Sequence, residues 1–137
     1  MTLTTSFNIQ RALVRTLRAS SANSGLPGDW HEGIAPRDTA MPFGTYTEHP
    51  TALTDTHTSR LIVASYDVWI VAKDQVEANN LDAAFYNDLE DGLLTVDGQT
   101  TLYCRRQSDL RDKEETEAGD MIYRAGGTYS IWTDQSL

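Results

Sequence analysis

Residues 60–72, RLIVASYDVWIVA, narrow the possible folds of this chain more than any other segment. Successive side chains of a β-strand point to opposite faces, so an extended reading sorts them by parity. One face carries Ile62, Ala64, Tyr66, Val68, Ile70 and Ala72, all able to pack in a core. The other carries Leu61, Val63, Ser65, Asp67, Trp69 and Val71, which is mixed rather than polar. A sheet with one solvated side normally shows a cleaner alternation, so this pattern implies that something covers each face. The run is also the longest strongly apolar one. Ser65 and Asp67 interrupt it, and it falls well short of the roughly 20 apolar residues that a membrane helix needs.

Two amphipathic helices are expected to flank this strand in sequence. From about Thr5 to Ser20, Ile9, Leu13 and Leu17 recur at steps of four and Val14 widens the stripe, while Arg11, Arg15 and Arg18 lie off it. Thr5 or Ser6 can cap its first amides. SSANSGLPGD then reads as a loop. Asp74 and Glu77 have capping-box spacing and open a second helix, with Leu81, Ala84, Phe85, Leu89 and Leu93 as its stripe and Gly92 near its end.

The remaining segments read as strands and loops. Trp30–Ile34 and Phe43–His49 are short strands separated by Pro36 and Pro42. Residues 51–59, TALTDTHTS, are rich in threonine and are expected to be an exposed, mobile connection. Thr100–Gln107 is a strand with Leu102, Cys104 and Arg106 on one side and Thr101, Tyr103 and Arg105 on the other. SDLRDKEETEAGD is expected to be a solvated loop, and Met121–Ala125 and Thr128–Thr133 a final strand or strand pair, with a tight turn or bulge at Gly126-Gly127. The sum is a single α+β domain over residues 1–137. Its antiparallel or mixed sheet of four to five strands has two main helices on one face.

The 11 Lys and Arg against 20 Asp and Glu leave a formal charge of −9, which lacks the basic footprint of a nucleic-acid binder. A single cysteine excludes an internal disulfide and suits a reducing cytoplasm, and the N-terminal residues lack the order of a secretory signal. Chemistry is hard to find. His31, His49 and His57 have no metal-ligand spacing, although Asp55 lies beside His57. Cys104 has Arg105 and Arg106 beside it to favour a thiolate, but its alternating strand reads as core. Asp82, Asp88, Glu90 and Asp91 on the second helix, and Glu114, Glu115, Glu117 and Asp120 in the late loop, read as solvated surface, whereas a catalytic pair needs the burial that sets one carboxyl apart. No catalytic, metal-binding or cofactor-binding residue is therefore expected, and no cofactor. The three tryptophans say more, because tryptophan is enriched at protein interfaces. Trp30 and Trp132 read as core, and Trp69 as balanced between core and interface.

Taken in order, these segments resemble the tail terminator (tail completion, or head–tail joining) proteins of long-tailed phages. The resemblance rests on the helix RALVRTLRAS, on Trp30-His-Glu-Gly-Ile34 leading through Pro36 to Pro42-Phe43, and on the strand ending Tyr66-Asp-Val-Trp-Ile70. It rests also on the helix with Asn79-Asn-Leu81 and Phe85, and on the final strand ending Tyr129-Ser-Ile-Trp132. It implies a non-enzymatic virion protein, a homo-oligomer forming a ring, commonly of six copies. Such a ring caps the tail tube, stops its polymerisation and meets the head connector or neck proteins, with DNA only passing through its lumen and no membrane contact. Expected contact residues are Trp69, Asp67, Leu61 and Val63 on the long strand, Thr54 and His57 in the threonine-rich connection, and Glu115 and Glu117 in the acidic stretch. A neck or head-closure ring is an alternative of the same class. A small metal-dependent hydrolase or nuclease and a monomeric module binding a host protein are alternatives of other classes.

Overall fold

The computed structural model describes residues 5–90, 92 and 94–136. The order is α1 (Thr5–Ala19), a short 3-10 turn (Ser21–Gly25), β1 (Trp30–Glu32), β2 (Phe43–Glu48), β3 (Ala52–Asp55), β4 (Ser59–Ala72), α2 (Gln75–Leu89), β5 (Thr100–Glu115) and β6 (Met121–Ser136). The six strands form one mixed sheet in the order β1-β2-β4-β6-β5, with β3 also paired to β4. Among the described residues, only β1 and β2 run parallel. This is the expected α+β class, with one strand more than the four or five read from sequence.

The extra strand is β3. The Thr51–Ser59 segment is a hairpin arm, not a loose connection: Ala52–Asp55 pair with Arg60–Val63. The Thr56 amide donates to Ser59 O at 2.8 Å, and Arg60 grips Asp55 at 2.5 and 3.0 Å. All of β3 is exposed, so it has no apolar pattern to betray it, but threonine is a good strand former.

The acidic stretch corrects in the same way. β5 runs on through Asp109–Glu115 against β6, and only residues 116–120 turn. Arg124 holds Asp112 at 3.2 Å and Glu114 at 2.7 Å across the ladder, so the charges pair between strands. β6 in turn is one unbroken strand. Gly126-Gly127 makes neither turn nor bulge. The two glycines admit close neighbours, because a Cβ on Gly126 would lie 1.9 Å from Val68 O and one on Gly127 would lie 2.1 Å from Arg106 Nε.

The core forms where the parity of β4 places it. Ile62, Ala64, Tyr66, Val68 and Ile70 are buried with Tyr129 and Ile131 of β6 and Cys104 of β5. Ile9, Leu13 and Leu17 of α1 and Phe85 and Leu89 of α2 close over them, so both helices lie on one face of the sheet. Trp30 joins this core, with its ring edge-on to Phe85 at 5.0 Å and its Nε1 donating to Asn23 Oδ1 at 3.1 Å.

Several local expectations shift. β1 stops at Glu32, ahead of Gly33 at φ +70, and Ile34 is exposed. Asp74 takes the extended N-cap backbone but its carboxylate makes no capping hydrogen bond; it is exposed, so water can serve the free amides. A register shift between Thr101 and Tyr103 throws Leu102 outward, off the Cys104 side. The expected caps Thr5 and Ser6 and the residues Asp91 and Leu93 lie outside the described side chains.

Candidate functional site

The face of the sheet turned away from the helices is the most distinctive surface. On it β4 presents Leu61, Val63, Ser65, Asp67, Trp69 and Val71, and all but Val71 are only partly buried. The register aligns these with Asp134, Trp132, Ser130, Thr128, Gly126 and Arg124 of β6. Three zones follow along the strands.

The first zone is apolar. Val63 lies beside Trp132, and Trp132 stacks on Tyr103 of β5 with ring centroids 5.0 Å apart. The Arg105 guanidinium sits 4.9 Å from the Tyr103 centroid. Trp132 thus belongs to this open face and not to the core, where the sequence reading put it. Its even number places it out of phase with the buried Tyr129 and Ile131.

The second zone is a polar belt. The Thr128 hydroxyl donates to Asp67 Oδ1 at 2.6 Å, and His49 Nε2 lies 3.0 Å from the same oxygen. The Ser65 and Ser130 hydroxyls face each other at 3.5 Å.

The third zone is apolar again. Trp69 lies between Thr45 of β2 and Gly126 of β6. With Ile34, Phe43, Val71, Ile122 and Arg124 it borders a hollow of about 350 Å3.

Of the expected contact residues, Trp69, Asp67, Leu61 and Val63 share this face, and Thr54 lies beside Leu61 on β3. His57 is in the β3–β4 turn at one end of the long strands. Glu115 and Glu117 are at the β5–β6 turn, the opposite end, about 50 Å away at roughly 3.3 Å per residue.

A second cluster lies on the helix side and was missed in sequence. Asp82 is buried, although it reads as surface. It takes two bonds from Arg106, at 3.1 and 2.9 Å, with Arg111 at 3.6 Å. The Arg106 side chain crosses Gly127, donates to Gly126 O, and has Nε 2.9 Å from Asp109 outside hydrogen-bonding geometry. Burial works against the Arg106 charge, but the Asp82 carboxylate outweighs it and holds the proton more firmly than usual. Burial likewise pushes the nearby Tyr129 hydroxyl well above its ordinary value. The signal was present in the helical phase: Asp82 falls in step with Ala78, Phe85 and Leu89, the buried residues of α2. This arrangement ties α2 to the β5–β6 hairpin, with both charges matched.

The histidines stay apart: His31 Nε2 contacts Gly28 O at 2.6 Å, His49 meets Asp67, and His57 is exposed. Among the described residues, no three His, Cys, Asp or Glu side chains gather as a metal site. No helix among them is long and apolar enough to cross a membrane.

Compared by sequence, the chain matches no protein-family profile and no curated protein. Compared by structure, it is similar to a chain solved in the "virion of native gene transfer agent (GTA) particle". The TM-score is 0.68 at 14% identity, and the match covers 94% of this chain and 97% of that one. The likeness therefore extends over nearly the whole of both chains and shows that they share a fold.

Proposed function

We propose that this chain is a structural virion subunit that acts through contacts and not through catalysis. In the finer form of this reading, copies form a ring, six being the number the sequence resemblance implies. The ring closes the end of a tail tube and meets the head connector. The observation that carries the reading is the open sheet face, where Trp69, Trp132, Tyr103 and Val63 stand only partly buried on paired strands, on the side away from the helices. Aromatic residues on such a surface bury large areas at low entropic cost when a partner arrives. The shared fold with a virion component, over almost the full length, supports the same reading.

A closed ring needs two different patches on each subunit, and the helix side and the open face provide surfaces of different character. The test is the mass of the purified protein in solution, alone and mixed with tail-tube protein. Discrete closed oligomers, alone or on the tube end, are expected. A strict monomer in both conditions overturns the reading.

A further inference from the structure

The charges of this acidic chain are unevenly placed. α1 contains Arg11, Arg15 and Arg18 and no Asp or Glu. Its outer side, with Phe7, Val14 and Tyr46, lines a groove of about 500 Å3. Phe7 is 53% exposed there, a large apolar side chain without cover. Arg18 is neutralised by Asp29, with both bonds at 3.2 Å. Arg15 donates to a neutral acceptor, Thr95 O, at 2.7 Å. The Arg11 guanidinium lies 5.7 Å from the Phe7 ring centroid and meets no carboxylate among the described residues. The groove thus combines an apolar floor with two arginines, Arg11 and Arg15, that pair with no carboxylate among the described residues, while Glu32 meets its rim through Gln10 at 3.2 Å.

The opposite character stands at the β5–β6 turn. Glu115, Glu117 and Asp120 are exposed there and pair with no cation among the described residues, whereas Asp112 and Glu114 nearby are held by Arg124. The strand leading to this turn is exposed at every residue from Arg111 to Glu115. In its own copy the turn borders Met41 and Lys73, not the α1 groove.

Resting on the ring reading, we propose that the acidic β5–β6 turn of one copy seats in the basic α1 groove of the next copy. The two patches are different surfaces of one chain, which is what a head-to-tail ring contact requires. Their opposite charges fix which neighbour docks where, and they set the register of the contact.

The test uses three full-length variants: R11E with R15E, E115K with E117K, and all four together. All these positions are exposed, so melting temperatures should match the parent within a few degrees. Sedimentation across a dilution series reads the concentration at which half the oligomer dissociates. Each double variant should raise it about tenfold or more, and the fourfold variant, with both charges exchanged, should recover most of that loss. If the parent forms rings and the double variants do so equally well, the docking contact is wrong and the ring reading stands. Loss without recovery in the fourfold variant also overturns the contact. A parent that is monomeric alone and with tail-tube protein removes both ideas. Parent rings that bind a short DNA duplex through Arg11 and Arg15, with assembly indifferent to the charge changes, would assign the groove to phosphate instead.

Discussion

The two faces of the β4–β6 ladder are built from the same strands and differ in everything else. Ile131 and Trp132 are neighbours in sequence. Ile131 is fully buried beneath the helices, and Trp132 stands half-buried on the other side against Tyr103. The helix-covered face is largely apolar; its exceptions include the Asp82–Arg106 pair and the buried Thr133, whose hydroxyl donates to Gln99 Oε1. The open face alternates apolar and polar zones, and its polar groups pair locally, as Asp67 does with Thr128 and His49. A covered face is selected for volume and closure. An open face with two aromatic zones separated by hydroxyls and a carboxylate has instead the composition of a surface that meets something else.

Four measurements press on this contrast. The largest effect is expected from D82A. It leaves the Arg106 guanidinium, only 7% exposed, without its main partner, and breaking a buried pair in this way costs about 3–5 kcal/mol. Urea unfolding with a loss below about 1 kcal/mol would show that Asp109 and Gly126 O suffice. I131A follows, at about 2–4 kcal/mol by the same measurement, for a large-to-small change in a closed core. W132A, one residue later, should remove only about 1 kcal/mol, mainly its stacking on Tyr103, while abolishing higher-mass species. Equal losses at Ile131 and Trp132 would erase the distinction between the faces. The smallest effect concerns the exposed β3–β4 hairpin. The hydrogen bond from Arg60 holds the Asp55 carboxyl below its ordinary value. The hairpin's extra stability is thus present above that ordinary value and is lost as pH falls through the lower folded one. Protection of the Thr56 and Ser59 amides, taken as the exchange rate relative to that of an unstructured peptide at the same pH, should fall on acidification, and D55N should remove that pH dependence.

Much of this was legible because burial in strands follows parity. The β4 run announced both the core face and the mixed face, and Cys104 followed from alternation alone. What stayed hidden was hidden for a shared reason. β3 and the distal half of β5 are held by backbone ladders and cross-strand charges, so their side chains carry no apolar period. Trp132 was misplaced because a large aromatic was read by type and not by its phase relative to Ile131. Asp82 was misplaced because a carboxylate was read as surface, although its partner was an arginine twenty-four positions on. The glycine pair misled because glycine also marks sites of close approach, which no local signal separates from a turn.

The pairing of β4 with β6 also bears on how the molecule is made. β4 is the central partner of the sheet, yet its longest ladder joins it to a strand that lies beyond a helix, a loop and a whole further strand. The β5–β6 hairpin can close locally, whereas the β4–β6 seam must wait for a distant encounter whose entropy is lost before the seam contributes any stability. Folding on a millisecond-to-second scale is the expected result, with the hairpin forming early and the seam late. Until the seam closes, residues 61–72 present an unpaired apolar edge, so newly made chains are most vulnerable to aggregation in that interval.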